Sequence, residues 1–160
     1  MRKALVIALA LSILFPSEVL SEESDTYLSE DIQYYCSEIG EWYGLSPELL
    51  MAIVERESSG DSDAENGSCK GLMQVSTRWH YDRMGRLGVE DIFDAYGNIM
   101  VGTDYLVELI EKHGDIGVAL MVYNGDSSAM DYANGNCEIS NYAKGIIERS
   151  YQLERLHGKR

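Results

Sequence analysis

Glu57 is the residue of this sequence whose position most clearly suggests chemistry. It ends an apolar segment, LLMAIVERESSGD over residues 49–61, in which Leu50, Ile53 and Glu57 share one stripe of a helix. Burial of a carboxylate is costly and should raise its pKa, and a glutamic acid that keeps its proton suits general acid catalysis. The spacing therefore makes Glu57 a candidate acid/base catalyst. The alternative is a carboxylate that caps a loop or pairs with Arg56.

Other common catalytic arrangements are missing from the sequence. It contains no GxSxG nucleophile motif, no HExxH zinc motif and no glycine-rich phosphate loop, and its three histidines are His80, His113 and His157. His80 lies in a locally basic segment, RWHYDRMGR, for which a solvated surface and an anion-binding site are both open. No metal and no cofactor is predicted.

Three cysteines are too widely spaced for a zinc ribbon or a CxxC redox pair. Cys69 and Cys137 fall in loops rich in Gly and Asn, whereas Cys36 lies on the apolar face of a predicted helix. We predict a disulfide between Cys69 and Cys137, with Cys36 as a buried thiol. Three free thiols are the alternative.

The elements that must position Glu57 are predicted to be helices. One helix begins at the cap Ser29 and ends at Gly44, and a second runs from Pro47 to Gly60, which places Glu57 in its last turn. Apolar periodicity predicts four later helices: a weaker one in TRWHYDRMGRLG, and clearer ones in NIMVGTDYLVELIEKHG, IGVALMVYNG and ISNYAKGIIERSYQLERL. No segment is convincing as a strand. The sequence therefore predicts a mainly α domain with one core.

Length and composition indicate a single exported domain. The chain has 160 residues, 45% of them hydrophobic, which suffices for one core. Residues 1–21 carry two cations and a short apolar run, the pattern of a secretory signal peptide, with an uncleaved anchor as the alternative. We predict a flexible leader over 22–28, the domain over 29–156 and a frayed tail over 157–160.

The net charge limits the classes of molecule that the protein is expected to bind. A formal charge of −14 disfavours binding to nucleic acid and to anionic lipid surfaces. We predict a monomer that is secreted or otherwise extracytoplasmic, without stable membrane association after cleavage of the signal.

Four motifs occur in an order that resembles a known family. AIVERESSGDSDAENGSCKGLMQVS contains a Glu-Ser helix end followed, after a loop, by Gly-Leu-Met-Gln, and NIMVGTDYLVELIEKHGDIGVALMVYNGD contains a helix pair that ends in Tyr-Asn-Gly. CEISNYAKGI resembles a Glu-Thr-x-x-Tyr-Val segment. Over residues 29–155 the chain resembles the goose-lysozyme-like soluble lytic transglycosylases. The resemblance implies a lysozyme-like α fold that cleaves the β-1,4 bond between N-acetylmuramic acid and N-acetylglucosamine in peptidoglycan.

The resemblance also implies roles for the residues of these motifs. Glu57 would be the acid/base, and Gln74 would hydrogen-bond the sugar beside the scissile bond. Tyr123 would orient Glu57 or the substrate, Asn124 would fix the following turn, and Tyr142 would line the groove. The alternatives are that Gln74 only satisfies loop backbone and that Tyr123 is a core aromatic residue.

Three further residues are assigned supporting roles by the same motifs: Ser58, Met73 and Glu138. The chain departs from the family pattern at Asn66, where a small residue or Ser is usual, and at Ile139, where Thr is usual. It also has VSTRWH in place of a Met- or Pro-rich turn after GLMQ. These departures affect the expected saccharide contacts more than the chemistry.

Lytic transglycosylases, as the resemblance implies, use one carboxylate, whereas ordinary glycosidases use two. Glu57 would protonate the leaving oxygen and then take the proton of the C6 hydroxyl, which closes a 1,6-anhydro ring. One alternative is a hydrolytic muramidase in which Asp61 or Asp63 positions water. The other is a non-catalytic cell-wall-binding protein.

Overall fold

Helices dominate residues 26–159, the part of the chain that the computed structural model describes. The predicted signal peptide, residues 22–25 of the leader and Arg160 lie outside the described residues. Within the described range the helices are α1 (Glu30–Tyr43), α2 (Pro47–Ser58), α3 (Thr77–Leu87), α4 (Ala95–His113), α5 (Ile116–Tyr123), α6 (Ala129–Ala133) and α7 (Asn141–Leu156). The prediction of a mainly α fold is confirmed.

Several helix ends follow from local capping chemistry. The Ser29 side chain accepts a hydrogen bond from the Ile32 backbone N–H at the start of α1, and Asp115 does the same at the start of α5. Helix α1 ends at Gly44 and α4 ends at Gly114, both in the left-handed region that glycine adopts without strain. The boundaries predicted at Ser29 and Gly44 are confirmed.

A small antiparallel sheet of three strands forms between α2 and α3. The strands β1 (Glu65–Asn66), β2 (Cys69–Lys70) and β3 (Val75–Ser76) follow one another in the sheet in chain order. Asn66 pairs with Cys69, and Cys69 pairs with Ser76. The expectation of no strand was wrong because two residues are too few to show alternation. The five-residue helix α6 was missed for a similar reason.

The hydrophobic core surrounds α2 and α5. Helix α2 packs against α1 and α7, while α4 packs against α1 and α5. Helix α5 is buried along most of its length, as its apolar sequence predicts. The largest fully buried apolar side chains come from every part of the domain: Ile39, Leu50, Ile53, Leu72, Met73, Ile99, Leu106, Leu120, Met121, Ile146 and Leu153. This packing fixes the end of α2, where Glu57 lies, relative to α5 and α7.

Residues 26–28 pack against the domain. The Thr26 hydroxyl donates to Glu55 Oε1 at 2.6 Å, the Tyr27 hydroxyl donates to the Glu55 carbonyl at 3.1 Å, and Leu28 is buried. The assignment of these three residues to a flexible leader is therefore corrected, because hydrogen bonds and apolar burial hold them.

The C-terminal segment is also held by specific contacts rather than frayed. His157 Nδ1 and Lys159 Nζ lie 2.8 and 2.7 Å from Glu48 Oε1 at the start of α2. Burial raises the pKa of Glu48, but hydrogen bonds from Lys159, His157 and Ser46 outweigh it and hold the pKa at about 2. An ionised carboxylate on a buried side chain requires these partners.

The three cysteines are free thiols. Cys36 is buried, as predicted, and burial raises its pKa to about 12. The predicted Cys69 to Cys137 disulfide is wrong. Cys69 belongs to β2, whereas the Cys137 sulfur is exposed and lies 3.8 Å from the Ser128 carbonyl beside α6. Shared loop composition did not place the two residues together.

None of the described helices combines the length and the apolar character needed to cross a membrane.

Candidate active site

The end of α2 presents Glu57 in a half-buried position. The helix stops one residue later, at Ser58, because Ser59 takes a left-handed conformation with φ of 56°. The Ser58 hydroxyl donates to the Val54 carbonyl at 3.2 Å and accepts from the Gly60 N–H at 3.2 Å. Ser58 thus fixes the helix end that carries Glu57.

Helix α7 supplies the direct partner of this carboxyl group. The Tyr142 hydroxyl donates a hydrogen bond to Glu57 Oε1, although the two residues are 85 positions apart in sequence. Tyr142 is buried, and the Arg56 guanidinium carbon lies 5.7 Å from its ring centroid. Burial and the nearby Glu57 carboxylate raise the pKa of Tyr142 well above its usual range, so it remains a donor. The structure therefore shows Tyr142 hydrogen-bonded directly to Glu57.

The environment of Glu57 favours its protonated form. Burial raises the pKa of Glu57, and the hydrogen bond from Tyr142 and the charge of Arg56 offset only part of that effect. No second carboxylate among the described residues contributes to this shift. Glu57 is thus an isolated acid with a raised pKa, which is the state that a general acid requires.

Tyr123 joins Glu57 to the segment that follows β2. Its hydroxyl donates to the Met73 carbonyl at 2.8 Å. Burial, and secondarily the charge of Glu57, raises its pKa well above the usual range. Tyr123 is thus both a packed aromatic residue and part of the surroundings of the acid.

Gln74 has a structural role in the loop as well as access to a cavity. Its backbone is left-handed, with φ of 49°, and its side-chain nitrogen donates to the carbonyls of Ala64 and Gly71 at 3.1 and 3.0 Å. These bonds use both amide hydrogens, which leaves the side-chain oxygen as the group able to accept from a ligand.

A cavity of about 510 Å³ adjoins these residues. Gln74, Tyr123 and Asn124, three of the four predicted substrate-binding residues, lie in its wall. Asn124 is exposed there, and its backbone N–H donates to Leu120 at the end of α5. The volume is in the range of small-molecule sites. Its other lining residues come mainly from β2, β3, α3 and α4.

Comparison with known families decides what this arrangement belongs to. The sequence profile of the transglycosylase SLT domain matches residues 35–144, a span that includes Glu57, the GLMQ segment and Tyr142. The chain belongs to the SLT transglycosylase domain family. A curated relative, named Transglycosylase, of Enterobacteria phage PRD1 is 32% identical over 107 residues, which are 66% of this chain. The matched region is 38% of that relative's length, so the chain spans well under half of it.

Glu138 does not join the site of this SLT domain. It is exposed and lines a separate groove at the start of α7 with Lys144 and Glu148. Within the described residues no hydrogen bond or ion pair connects it to Glu57 or Tyr142. The supporting role predicted for Glu138 is corrected, because α7 presents Tyr142 toward the acid while Glu138 is exposed to solvent.

Asn98 is a supporting residue of the SLT domain that sequence reasoning missed. The Asn98 side chain is fully buried in α4. Its Oδ1 accepts a hydrogen bond from the Met73 N–H at 2.8 Å. Its Nδ2 donates to the carbonyls of Lys70 and Ile92 at 2.9 and 2.8 Å. A side chain on Gly71 would clash with this amide. Asn98 thus positions the segment that contains Gln74.

One turn further along α4, Gly102 allows the side chains of Met73 and Tyr123 to approach the helix backbone closely. A Cβ atom there would lie 2.8 Å from Met73 Sδ and 3.0 Å from the Tyr123 hydroxyl, which is too close for either. Asn98 and Gly102 are four residues apart on an apolar helix. A buried amide and a glycine on one helical face are the signal that could have indicated their role.

Carboxylates occupy Arg83, the buried cation of the basic segment around His80. Arg83 pairs with Asp104 and, at 2.5 Å, with Glu108, while its Nε–H donates to His80 Nδ1 at 3.4 Å. These contacts occupy the guanidinium group. Burial and the charge of Arg83 lower the pKa of His80, which favours neutral imidazole. Across residues 26–159, no cluster of three or more His, Cys, Asp or Glu side chains is arranged to hold a metal ion.

Replacement of Tyr142 by phenylalanine should change the pH dependence of any reaction that uses Glu57 as its acid. The hydroxyl lowers the pKa of Glu57, so its removal should raise that pKa further. Because the acid must be protonated, the rate falls as pH rises through this pKa, and the falling limb should move to higher pH. We also expect the plateau rate to drop by about tenfold through loss of orientation.

The measurement is a pH–rate profile of peptidoglycan clearing by wild type and Tyr142→Phe. Tyr81→Phe is the matched control because Tyr81 is 76% exposed on α3. A falling limb that stays in place, or that moves to lower pH, would contradict the assigned contact.

Proposed function

We propose that this chain is a lytic transglycosylase that cleaves the β-1,4 bond between N-acetylmuramic acid and N-acetylglucosamine in peptidoglycan and leaves a 1,6-anhydro end. Membership of the SLT transglycosylase family supports the reaction class. The relative from phage PRD1 bears the name Transglycosylase. Peptidoglycan lies outside the cytoplasm, in keeping with the signal peptide predicted at residues 1–21.

The proposed reaction has two proton transfers through one carboxyl group. Glu57, as the acid, donates its proton to the glycosidic oxygen while the bond from that oxygen to the muramyl C1 breaks. N-acetylglucosamine leaves with a hydroxyl group, and an oxocarbenium-like C1 remains. The Glu57 carboxylate then takes the proton of the C6 hydroxyl as O6 bonds to C1. Glu57 is again protonated, and no water is consumed.

The observation that carries this proposal is the single acid of the site. The Tyr142 hydroxyl donates to Glu57, the Arg56 charge lowers its pKa, and no second carboxylate contributes to the shift of that pKa. A hydrolytic mechanism uses a second carboxylate as nucleophile or as base for water. The two acids considered for that role, Asp61 and Asp63, are exposed, and Asp61 Oδ1 accepts from the Asp63 N–H at 2.9 Å within the turn. This arrangement favours the single-acid reaction.

Mass analysis of digested peptidoglycan tests the proposal. The anhydro product is lighter by one water than the product of hydrolysis. We expect muramyl ends of the lighter mass that resist borohydride reduction, because the anhydro ring has no free anomeric centre. Reducing muramyl ends as the main product would instead establish a muramidase.

A further inference from the structure

Part of α3 lines the cavity. Trp79, His80 and Arg83 of α3 belong to the cavity wall, together with Ser76, which precedes the helix in β3. The helix is kinked at His80, where φ is −115° and ψ is 15°. Arg83, beyond the kink, is buried and paired with carboxylates, whereas Trp79, before the kink, is exposed.

Trp79 is the exposed apolar residue of this part of the cavity wall. Its exposure is 75%, which is unusual for a tryptophan because the indole ring is large and mostly apolar. The Arg78 guanidinium carbon lies 5.4 Å from the ring centroid and restrains the ring through a cation–π contact. Much of the indole remains open to a ligand at the cavity.

A line of rings leads from α3 to Tyr123. The ring of His80, next to Trp79 in sequence, lies 4.4 Å from the ring of Tyr105, and Tyr105 lies 5.4 Å from Tyr123. All four aromatic residues line the same cavity, and Glu57 is not one of its lining residues. The Tyr123 hydroxyl donates to the carbonyl of Met73, which precedes Gln74 of the same wall. A linear ligand that lies along this wall meets both the indole and Tyr123.

We propose that Trp79 is a glycan-stacking residue that binds an N-acetylhexosamine ring remote from the bond cleaved at Glu57. The inference rests on the proposed function and names a binding position within it. Sugar rings present C–H groups on their faces, and an exposed indole packs against such a surface with little loss of its own conformational freedom. Trp79 lines the cavity and Glu57 does not, so Trp79 governs substrate binding and not bond cleavage.

Intrinsic fluorescence offers a direct test, because the chain contains two tryptophans. The second, Trp42 on α1, is also 75% exposed but does not line the cavity. In a Glu57→Gln background that prevents turnover, Trp42→Phe leaves Trp79 as the reporter. Titration with N-acetylglucosamine hexamer should then produce a saturable change in emission. Trp79→Phe, which leaves Trp42, should show none.

Kinetics with Glu57 intact provide the second readout. Trp79→Ala should raise the KM for peptidoglycan strands by about tenfold with kcat changed less than twofold, and Trp79→Phe should fall between it and wild type. Trp42→Ala, with equal exposure, should leave both constants unchanged. Thermal melting of each variant verifies that it is folded.

The outcomes separate this proposal from the proposed function. The stacking role would be overturned if Trp79 emission did not change on titration and Trp79→Ala had the KM of wild type. If Glu57→Gln had nevertheless lost activity, the enzyme assignment would hold even though the stacking role had failed. A saturable response from Trp79 in a protein whose Glu57→Gln variant clears peptidoglycan normally would retain the binding position and reject the catalytic assignment.

Discussion

Glu57→Gln should lower the rate of peptidoglycan cleavage by roughly 100- to 10,000-fold, the range usual for loss of an essential acid/base. Glutamine keeps the size of the side chain and can still accept from the Tyr142 hydroxyl, but it has no proton to give to the glycosidic oxygen. It also removes a half-buried group whose charged form burial disfavours. The loss should therefore be chemical and not a failure to fold.

Turbidity clearing of purified peptidoglycan measures this effect. Glu138→Gln is the matched control, because Glu138 lies in a motif of the family but is exposed in a separate groove. We expect Glu138→Gln to keep wild-type activity. Equal activity of Glu57→Gln and wild type would identify the chain as something other than an enzyme that uses this acid, such as a cell-wall-binding protein.

Asn98→Ala should have the largest effect on stability among the substitutions discussed. It removes the partners of the Met73 N–H and of the Lys70 and Ile92 carbonyls in a fully buried site. Each unsatisfied buried polar group costs about 1–3 kcal/mol, so the free energy of unfolding should fall by roughly 3 kcal/mol or more. The GLMQ segment would also lose its anchor, and activity should fall with it.

Urea denaturation of wild type and variant gives the difference in free energy of unfolding. Asn134→Ala is a suitable comparison: the Asn134 amide also donates to a backbone carbonyl, that of Met130 at 2.7 Å, but the site is exposed. Asn134→Ala should lower the free energy of unfolding by less than about 0.5 kcal/mol. Similar unfolding midpoints for the two variants would mean that the buried amide network contributes little.

The parts of the fold that depend on local chemistry could be predicted from sequence. Ser29 and Asp115 cap helices through hydrogen bonds that span three residues, and Gly44 and Gly114 end helices through backbone conformation. The position of Glu57 in the last turn of α2 follows from the same local signals. These features required no knowledge of which helices pack together.

The parts of the site that depend on packing could not be predicted in the same way. The contact between Tyr142 and Glu57 exists because α7 packs on α2, and periodicity does not indicate which helices become neighbours. The proposed pairing of Cys69 with Cys137 failed because similar loop composition carries no information about distance. Asn98 was missed because a single polar residue in an apolar helix does not reveal its partners in another segment.

The central claim is that Glu57 is a partly dehydrated acid that retains its proton until a glycan oxygen arrives. A pH titration of the side-chain carboxyl carbon by ¹³C NMR, with the Glu57 resonance assigned by its absence from Glu57→Gln, measures this most directly. The account predicts a titration midpoint above the ordinary pKa of a glutamate side chain, about 4.3. A midpoint for Glu57 at or below that ordinary value would contradict it.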